Sequence, residues 1–218
     1  MLRALVLLAS LACTGSASAQ CRQALALGLD VSGSVDSSEY RMQLDGLAAA
    51  LQNEQVRAAL MATPHAPVHL AVYEWSGAAY QRILVDWTAI VGDDDLARVV
   101  RRLATTRNVD APPGTALGAA MRFGAGLLAR QDDCLRRTLD ISGDGKHNLG
   151  PHPRDVRAAL SGTDLTINAL VIGSDTTTQG GSRQTEIAEL SSYFHAWVTS
   201  GPGPLWKRPW GSRTTRLR

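Results

Sequence analysis

The chain has 218 residues, of which 44% are hydrophobic and 19% are charged, a composition typical of one globular domain and too apolar for a disordered chain. Its formal net charge of +2 is unevenly distributed, because residues 201–218 carry five cations and no acid, and Arg3 is a sixth cation near the start. Without those six cations residues 20–200 carry a net charge of −4, which excludes a basic nucleic-acid-binding face on the body of the protein.

The first nineteen residues have the pattern of a secretory signal peptide. Arg3 is a short basic region, Ala4–Cys13 is an apolar stretch, and Ala17-Ser18-Ala19 has the small residues of a cleavage site. The apolar stretch is too short to cross a bilayer, and no later stretch reaches the roughly eighteen apolar residues of a transmembrane helix. We therefore predict cleavage after Ala19, no transmembrane segment in the mature chain, and a periplasmic or secreted location in a bacterium.

Strand and helix patterns alternate along the rest of the chain. They predict a strand at 24–30, a helix at 37–60, strands at 68–75 and 80–87, helices at 93–103 and 115–130, a strand at 137–142, a helix at 153–160, a strand at 165–173, a loop at 174–183, a helix at 184–193 and a sixth strand at 195–199. The short link after Trp75 predicts an antiparallel hairpin. Asp36 and Glu39 predict a capping box at the start of the first helix. This order predicts an α/β fold, a doubly wound, mostly parallel sheet with helices on both faces and one antiparallel edge strand.

Oxygen-bearing side chains follow two strands of this predicted sheet. Asp30, Ser32 and Ser34 follow the first strand at a spacing of two, Asp144 follows the fourth, and Thr115 stands at the start of a predicted helix. Ligands of doubly wound sheets bind at the carboxyl ends of the strands. Carboxylates and hydroxyls, without histidine or thiol, are ligands for a hard cation. We therefore predict that these five residues bind Mg²⁺, or Mn²⁺ or Ca²⁺ in its place; the alternative is that they only cap turns and helices.

This set of residues resembles the metal-ion-dependent adhesion site (MIDAS) of von Willebrand factor type A domains. The shared pattern is Asp-x-Ser-x-Ser after the first strand, a distant Gly-Thr and an Asp-Gly after the fourth strand, and the resemblance covers about residues 22–200. The chain looks closest to an uncharacterised subfamily of secreted proteobacterial proteins. That subfamily has stretches similar to Leu29–Val35, Tyr73–Gly77, Val85–Thr88, Ser142–Gly145 and Gly201–Gly203.

The resemblance implies a protein that binds other proteins through a metal and catalyses no reaction. In the family, the two serines and the threonine contact the metal directly or nearly so, the two aspartates often act through water, and an acidic side chain of a partner completes the coordination. We therefore expect an unidentified protein partner that supplies an acidic group. Further residues at strand ends or close to Asp144 are expected to support the ligands or to face the partner, with a rim aromatic or solvated loop positions as the alternative: Glu74, Trp75 and Asn148.

Two cysteines, Cys21 and Cys134, remain after cleavage of the leader. An even pair in an oxidising compartment predicts a disulfide. Cys21 lies nine residues before Asp30, and Cys134 lies ten before Asp144. If the first and fourth strands are parallel neighbours, the cysteines therefore meet at the end of the sheet opposite the two acids. We predict a Cys21–Cys134 disulfide, with two buried free thiols as the alternative.

A hydrolase that uses the same five residues is the alternative function. Asp30 would then be the nucleophile, or a metal-bound water would attack the substrate. The common aspartate-nucleophile phosphatase pattern has a second aspartate where this chain has Ser32, and it needs a lysine, for which the body offers only Lys146. No Ser–His–acid set is apparent from order and spacing. The sequence therefore favours a binding module over an enzyme.

Residues 201–218 form a basic, irregular tail that departs from the resembled subfamily. There, Gly-Pro-Gly continues like Ala-Phe-Val-Glu-Thr-Ala-Leu, finishing a strand and entering a C-terminal helix, whereas this chain continues with Pro204. When the family-like stretch is back-translated with codons chosen to fit, deleting one base at its start gives residues 204–215. We therefore interpret residues 204–218 as a frameshifted tail; the alternative is a tail selected for an anionic surface. The domains are then 1–19, a signal peptide, 20–200, a von Willebrand factor A-like domain, and 201–218, the tail.

Overall fold

The computed structural model of the protein describes residues 21–172, 182–201 and 206–207. The predicted leader and most of the predicted tail lie outside these residues, as does the predicted loop at 174–183 up to residue 181. In chain order the elements are β1 (Gln23–Asp30), α1 (Ser37–Gln52), α2 (Glu54–Leu60), β2 (Val68–Trp75), β3 (Gln81–Ile90), α3 (Asp93–Thr105), α4 (Leu117–Ala129), β4 (Arg137–Gly143), α5 (Pro153–Ala159), β5 (Leu165–Val171), α6 (Ser182–Trp197) and β6 (Trp206–Lys207).

The strands form one sheet in the order β3-β2-β1-β4-β5-β6. β1 pairs in parallel with β2 and β4, β4 with β5, and β5 with β6, whereas β3 runs antiparallel to β2 at the edge. This confirms the predicted doubly wound, mostly parallel sheet with one antiparallel edge strand. The chain leaves β1 toward β2 on one side and returns to β4 on the other. The point where strand order reverses, at which such sheets bind ligands, therefore lies between β1 and β4.

Helices cover both faces of the sheet and bury two hydrophobic cores. On one face α4, α5 and α6 pack on β1, β2, β4 and β5, with Tyr73 and Phe194 fully buried between them. On the other face α1, α2 and α3 pack on β2 and β3, where Leu44 and Leu103 meet Leu70. The fold is therefore held by apolar burial on both sides of β2, and the loops at the carboxyl ends of the strands are left to carry the site.

The first helix begins as predicted and ends earlier than predicted. The Asp36 side chain accepts hydrogen bonds from the N–H groups of Ser38 and Glu39, and Glu39 Oε2 accepts one from the N–H of Asp36, which confirms the capping box. The helix breaks at Asn53, whose backbone is extended and whose side chain accepts from the N–H of Gln55. Asparagine offers the backbone this alternative to helical hydrogen bonding, so one predicted helix becomes α1 and α2.

The prediction of a sixth strand at 195–199 is wrong. Helix α6 continues to Trp197, and Leu190, Phe194 and Val198 are buried at a spacing of four, which is a helical repeat. Ser200 makes only an isolated antiparallel bridge with Ile167. The short run of mixed polar and apolar residues in this segment was compatible with either period, and packing of Phe194 and Val198 into the core decides for the helix.

Cys21 and Cys134 form a disulfide at the amino-terminal end of the sheet, with their Cα atoms 4.5 Å apart. This is the pairing that the sequence predicted, and it follows from β1 and β4 being parallel neighbours. His69 Nδ1 lies 4.0 Å from Cys134 Sγ, so these three residues have the composition of a metal site. The two sulfurs are bonded to each other, however, and His69 Nδ1 is hydrogen-bonded to Gln131 Oε1 at 2.7 Å. We therefore assign this group to the disulfide.

Candidate metal centre

The carboxyl ends of β1 and β4 lie side by side and bring the two predicted aspartates together. β1 ends at Asp30, and β4 ends one residue before Asp144. The N–H of Asp30 donates to Ser142 Oγ at 3.3 Å, and that hydroxyl donates to the carbonyl of Gly28 at 3.3 Å. Ser142 therefore ties the two strand ends together beneath the carboxylates.

The loop between β1 and α1 carries Ser32 and Ser34 on either side of Gly33, where it comes very close to the loop before α4. The N–H of Ser32 donates to Asp30 Oδ1 at 2.9 Å, and Ser34 Oγ donates to Asp144 Oδ2 at 2.6 Å. Between them, the N–H of Gly33 donates to the carbonyl of Pro113 at 3.1 Å. A Cβ on residue 33 would lie 2.7 Å from Pro113 Cβ, so the approach of the two loops requires glycine there.

Thr115 reaches the same place from the loop before α4. Its N–H donates to Asn148 Oδ1 at 2.9 Å, and its carbonyl accepts from the N–H of Asn148 at 3.1 Å. A Cβ on Gly145 would lie 4.0 Å from Thr115 Oγ1, so the threonine hydroxyl lies over the turn after Asp144. The structure thus brings the five predicted residues together, and we call them the oxygen cluster: Asp30, Ser32, Ser34, Thr115 and Asp144.

Three buried oxygens of the oxygen cluster have no hydrogen-bond partner among the residues that the structure describes: Asp30 Oδ2, Ser32 Oγ and Asp144 Oδ1. Asp30 and Ser32 are 0% and 1% exposed, so the side chains are nearly closed off from bulk water. A buried polar atom without a partner costs about 1–3 kcal/mol, and more when it is charged. A cation bound by these oxygens would satisfy all three, and a set made only of oxygens fits a hard divalent cation. The residues present therefore fit the metal that the resemblance implies.

The electrostatics of the oxygen cluster also fit a cation. Burial and, after it, the neighbouring charge of Asp144 together raise the pKa of Asp30 from 3.8 to about 7, whereas the hydrogen bond from the N–H of Ser32 opposes the rise. The cluster therefore holds its second negative charge only at a cost in free energy. A bound cation would remove that cost because it stabilises the ionised form of both carboxylates.

Glu74 and Trp75 lie at the end of β2, in register with Leu29 and Asp30 of β1, and both are buried. Glu74 is 1% exposed and accepts hydrogen bonds from Tyr40 and Tyr80 hydroxyls and from Arg82 Nε, at 2.9, 2.7 and 2.8 Å. Trp75 is fully buried in the core under α4, α5 and α6. The expectation that Glu74 and Trp75 face a partner is wrong, because α1 and the β2–β3 hairpin cover the end of β2.

Asn148 is exposed and pairs with both the N–H and the carbonyl of Thr115, so it supports the cluster from outside.

Two supporting residues were missed. Ser142 belongs to the Ser-Gly-Asp-Gly stretch, and only the parallel pairing of β1 with β4 gives it its role. Gln43 Nε2 donates to the carbonyl of Asp30 at 3.1 Å, and nothing in the helical pattern around it distinguishes it from a solvated position.

The sequence matches the family described as "Protein of unknown function (DUF1194)" over residues 20–206. A search of curated proteins found no match. No helix in the described part of the chain is long and apolar enough to cross a membrane.

Several solved structures have a similar fold. Proximal thread matrix protein 1 from the mussel byssus, with a zinc-occupied MIDAS motif, has 10% identity and a TM-score of 0.56, over 88% of this chain and 42% of that one. The pilus adhesin SpaC from Lactobacillus rhamnosus GG, in its open conformation, has 12% identity and a TM-score of 0.58, over 88% and 28%. The von Willebrand factor type A from Catenulispora acidiphila has 14% identity and a TM-score of 0.55, over 88% and 39%. At these identities the likeness is one of fold, and this chain spans less than half the length of each of these chains.

Proposed function

The chain belongs to the DUF1194 family, and we propose that it is a secreted module of the von Willebrand factor A type that binds another protein through a divalent cation. One observation carries the proposal. Side-chain oxygens from the ends of two different strands are buried at the point where strand order reverses, and three of them have no hydrogen-bond partner among the described residues. Such a set of oxygens is costly unless a cation completes it.

Each residue of the oxygen cluster has a role in this proposal. The hydroxyls of Ser32, Ser34 and Thr115 are the neutral ligands, and Asp30 and Asp144 supply the negative charge that balances a divalent cation. Two carboxylates and three hydroxyls leave an octahedral ion with a further position, which a carboxylate of the partner would take. The mussel protein with the zinc-occupied MIDAS motif supports a divalent cation in this kind of fold. We propose Mg²⁺ because the cluster has oxygens only, and Mn²⁺ or Ca²⁺ would bind to the same atoms.

We propose a binding module rather than a hydrolase. Phosphoryl or acyl chemistry at Asp30 would need, besides the divalent cation, a side-chain cation to hold the transferred group or a base to activate water. Lys146, the lysine closest to Asp144 in the sequence, is paired with Glu189. Glu74 is enclosed by two tyrosine hydroxyls and Arg82 and so is not free to act as a base. The adhesin among the similar folds is in line with protein binding.

The location and the ends of the chain complete the proposal. The disulfide between Cys21 and Cys134 fits an oxidising compartment, so we propose export with a signal peptide at 1–19 and a periplasmic or secreted mature protein. We further propose residues 20–200 as the module, to which β6 (Trp206–Lys207) adds a two-residue edge strand, and residues 204–218 as the product of a frameshift. Amino-terminal sequencing of the exported protein tests the first part. Restoring one base near codon 204 tests the second, which fails if no longer family-like reading frame opens.

The proposed function is tested by capture from the extracellular and periplasmic fractions of the producing bacterium. The immobilised full chain should retain a protein in Mg²⁺ and release it in EDTA, and the Asp30→Ala chain should retain none. A panel of phosphate esters, carboxylic esters and peptides, assayed with the same metal, addresses the hydrolase alternative. Turnover that disappears in Asp30→Ala, without metal-dependent capture, would make the protein an enzyme.

A further inference from the structure

Exposed apolar residues lie at one side of the opening of the oxygen cluster, next to Thr115. We call Ala78, Pro112, Pro113 and Leu149 the apolar rim. All four are exposed, and Leu149 is 47% exposed although it is one of the larger apolar side chains of the protein. They come from three separate loops, between β2 and β3, before α4 and after β4.

Close contacts between these loops join the apolar rim to the oxygen cluster. A Cβ on Gly114, the residue before Thr115, would lie 2.7 Å from Leu149 Cδ2, so the leucine side chain packs against that backbone. A Cβ on Gly77 would lie 3.1 Å from Pro112 Cβ, and one on Gly150 would lie 3.4 Å from Ala78 Cβ.

Hydrogen bonds fix the same loops relative to one another. The N–H of Ala116 donates to the carbonyl of Ser76 at 2.8 Å, and Thr115 and Asn148 are paired through two hydrogen bonds. The apolar rim is therefore already arranged before a partner arrives, which lowers the entropy cost of binding.

The three segments that form the apolar rim contain no charged residue. They are 76–80, 111–116 and 148–151, with the sequences Ser-Gly-Ala-Ala-Tyr, Ala-Pro-Pro-Gly-Thr-Ala and Asn-Leu-Gly-Pro. A second charge on a partner, placed against this surface, would lose its hydration without gaining an opposite charge. The three segments themselves offer a phosphate-rich ligand no cation, and Lys146, which lies two residues before one of them, is paired with Glu189. The surface therefore favours an apolar group on the partner, next to the one acidic group that binds the cation.

We propose that the partner presents an Asp or Glu directly flanked by a branched aliphatic or aromatic residue. The carboxylate reaches the cation in the oxygen cluster, and the apolar side chain packs on Pro112, Pro113 and Leu149. This proposal rests on the proposed function, because the cation recognises the acid. The apolar residue next to the acid is inferred from the apolar rim alone.

The test is selection of peptides from a random display library on the immobilised full chain in Mg²⁺, with elution by EDTA. The Asp30→Ala chain serves as the background for subtraction. The expected sequences contain an acidic residue with Leu, Ile, Val, Phe or Trp directly next to it. A selected peptide is then synthesised and its affinity measured for two leucine variants of the protein.

The leucine variants separate the rim from general surface effects. Leu149→Ser should weaken the peptide about tenfold, the scale expected for losing most of one buried apolar side chain. Leu135→Ser is the matched control, because Leu135 is 72% exposed next to Cys134 at the opposite end of the sheet, and its affinity should not change. Mg²⁺ affinity should be the same in both variants, which verifies that the oxygen cluster is intact. Ala78→Asp should also weaken the peptide, because it adds an unpaired charge to the rim.

The outcomes distinguish this proposal from the proposed function. Peptides that elute with EDTA, contain an acid, lack an enriched apolar neighbour and bind Leu149→Ser as well as wild type would overturn the role of the rim and leave the metal-dependent module standing. A selection in which no peptide depends on Mg²⁺ or on Asp30 would overturn the module itself.

Discussion

Asp30 ends the central strand with a carboxylate that is buried beside a second carboxylate. Its pKa is raised from 3.8 to about 7 by burial and by Asp144, whereas in the unfolded chain it stays near the ordinary value. Between those two values the folded protein holds a proton that the unfolded chain has released. The metal-free protein therefore loses stability as the pH rises through this window, at a rate of up to about 1.4 kcal/mol per pH unit from this group.

The first prediction follows from this loss of stability with rising pH. In EDTA, the free energy of unfolding of the wild type should fall between pH 4 and about pH 7 relative to Asp30→Asn, which has no proton to lose there. Urea unfolding of both proteins at several pH values measures the difference. Added Mg²⁺ should restore the wild type at the upper end of the window and leave Asp30→Asn unchanged. Equal pH slopes for the two proteins would contradict the assignment of the raised pKa to Asp30.

Gly33 is a second residue at which the site constrains the sequence. A Cβ at this position would lie 2.7 Å from Pro113 Cβ, so Gly33→Ala should push apart the loops that carry Ser34 and Thr115 and weaken Mg²⁺ binding at least tenfold. The matched control is Gly126→Ala, on the exposed side of α4, where a Cβ meets nothing within 4 Å. That change should leave Mg²⁺ affinity as it is and stabilise the protein by about 0.5–1 kcal/mol, through helix propensity. Calorimetry and urea unfolding measure the two quantities, and unchanged Mg²⁺ affinity in Gly33→Ala would contradict this role.

At the scale of elements, a buried polar network links α1, β2, β3 and the loop after α3. The Glu74 carboxylate accepts from Tyr40, Tyr80 and Arg82, and the Arg82 guanidinium also donates to the carbonyl of Arg107 at 3.1 Å. Burial, together with the hydrogen bond to Glu74, raises the pKa of Tyr80 to about 12. The loop held at Arg107 leads on to Thr115, so this network fixes the starting point of a segment that the cluster needs.

The third prediction concerns the charge balance of this network. Arg82→Met should cost roughly 3 kcal/mol of unfolding free energy, because it leaves the buried charge of Glu74 without its cation. Arg98→Met is the control, since Arg98 pairs with Asp95 on the surface of α3 and its loss should cost less than about 1 kcal/mol. Urea denaturation at neutral pH gives both values, and equal losses would mean that Glu74 does not depend on Arg82.

The sequence predicted the parts of the fold and the site that rest on local patterns. The order of strands and helices, the β2–β3 hairpin and the capping box at Asp36 follow from periodicity and turn chemistry, and they are present. Convergence of Asp30 with Asp144 followed from the general rule for strand ends in doubly wound sheets. The burial of Glu74 could not be predicted, because Tyr40 and Arg82 are distant in the chain and only the packed fold brings them to it. The end of α6 was missed for the same reason, because burial of Phe194 and Val198 in the core stabilises the helix there.

For the whole molecule, the disulfide ties the two halves of the chain together at the end of the sheet away from the oxygen cluster. Cys21 and Cys134 are 113 residues apart in sequence, so the chain-entropy model puts the contribution of the disulfide to stability at about 5 kcal/mol. The double variant Cys21→Ser, Cys134→Ser should lose most of that in urea unfolding and retain its Mg²⁺ affinity, because the cluster lies at the other end of β1 and β4. The denatured, unreduced mature protein should contain no thiol that reacts with Ellman's reagent, and two reactive thiols there would exclude the disulfide.

The central claim is that five oxygen-bearing residues at the reversal of strand order bind one divalent cation. Isothermal titration of Mg²⁺, and then of Mn²⁺, into the full chain tests it most directly. We predict one site per chain that disappears in Asp30→Ala and in Asp144→Ala and persists in Asp155→Ala, an exposed carboxylate of α5 used as the control. Circular dichroism should give the same folded spectrum for all four proteins. A wild type that binds neither cation, or an Asp144→Ala variant that binds as the wild type does, would contradict the claim.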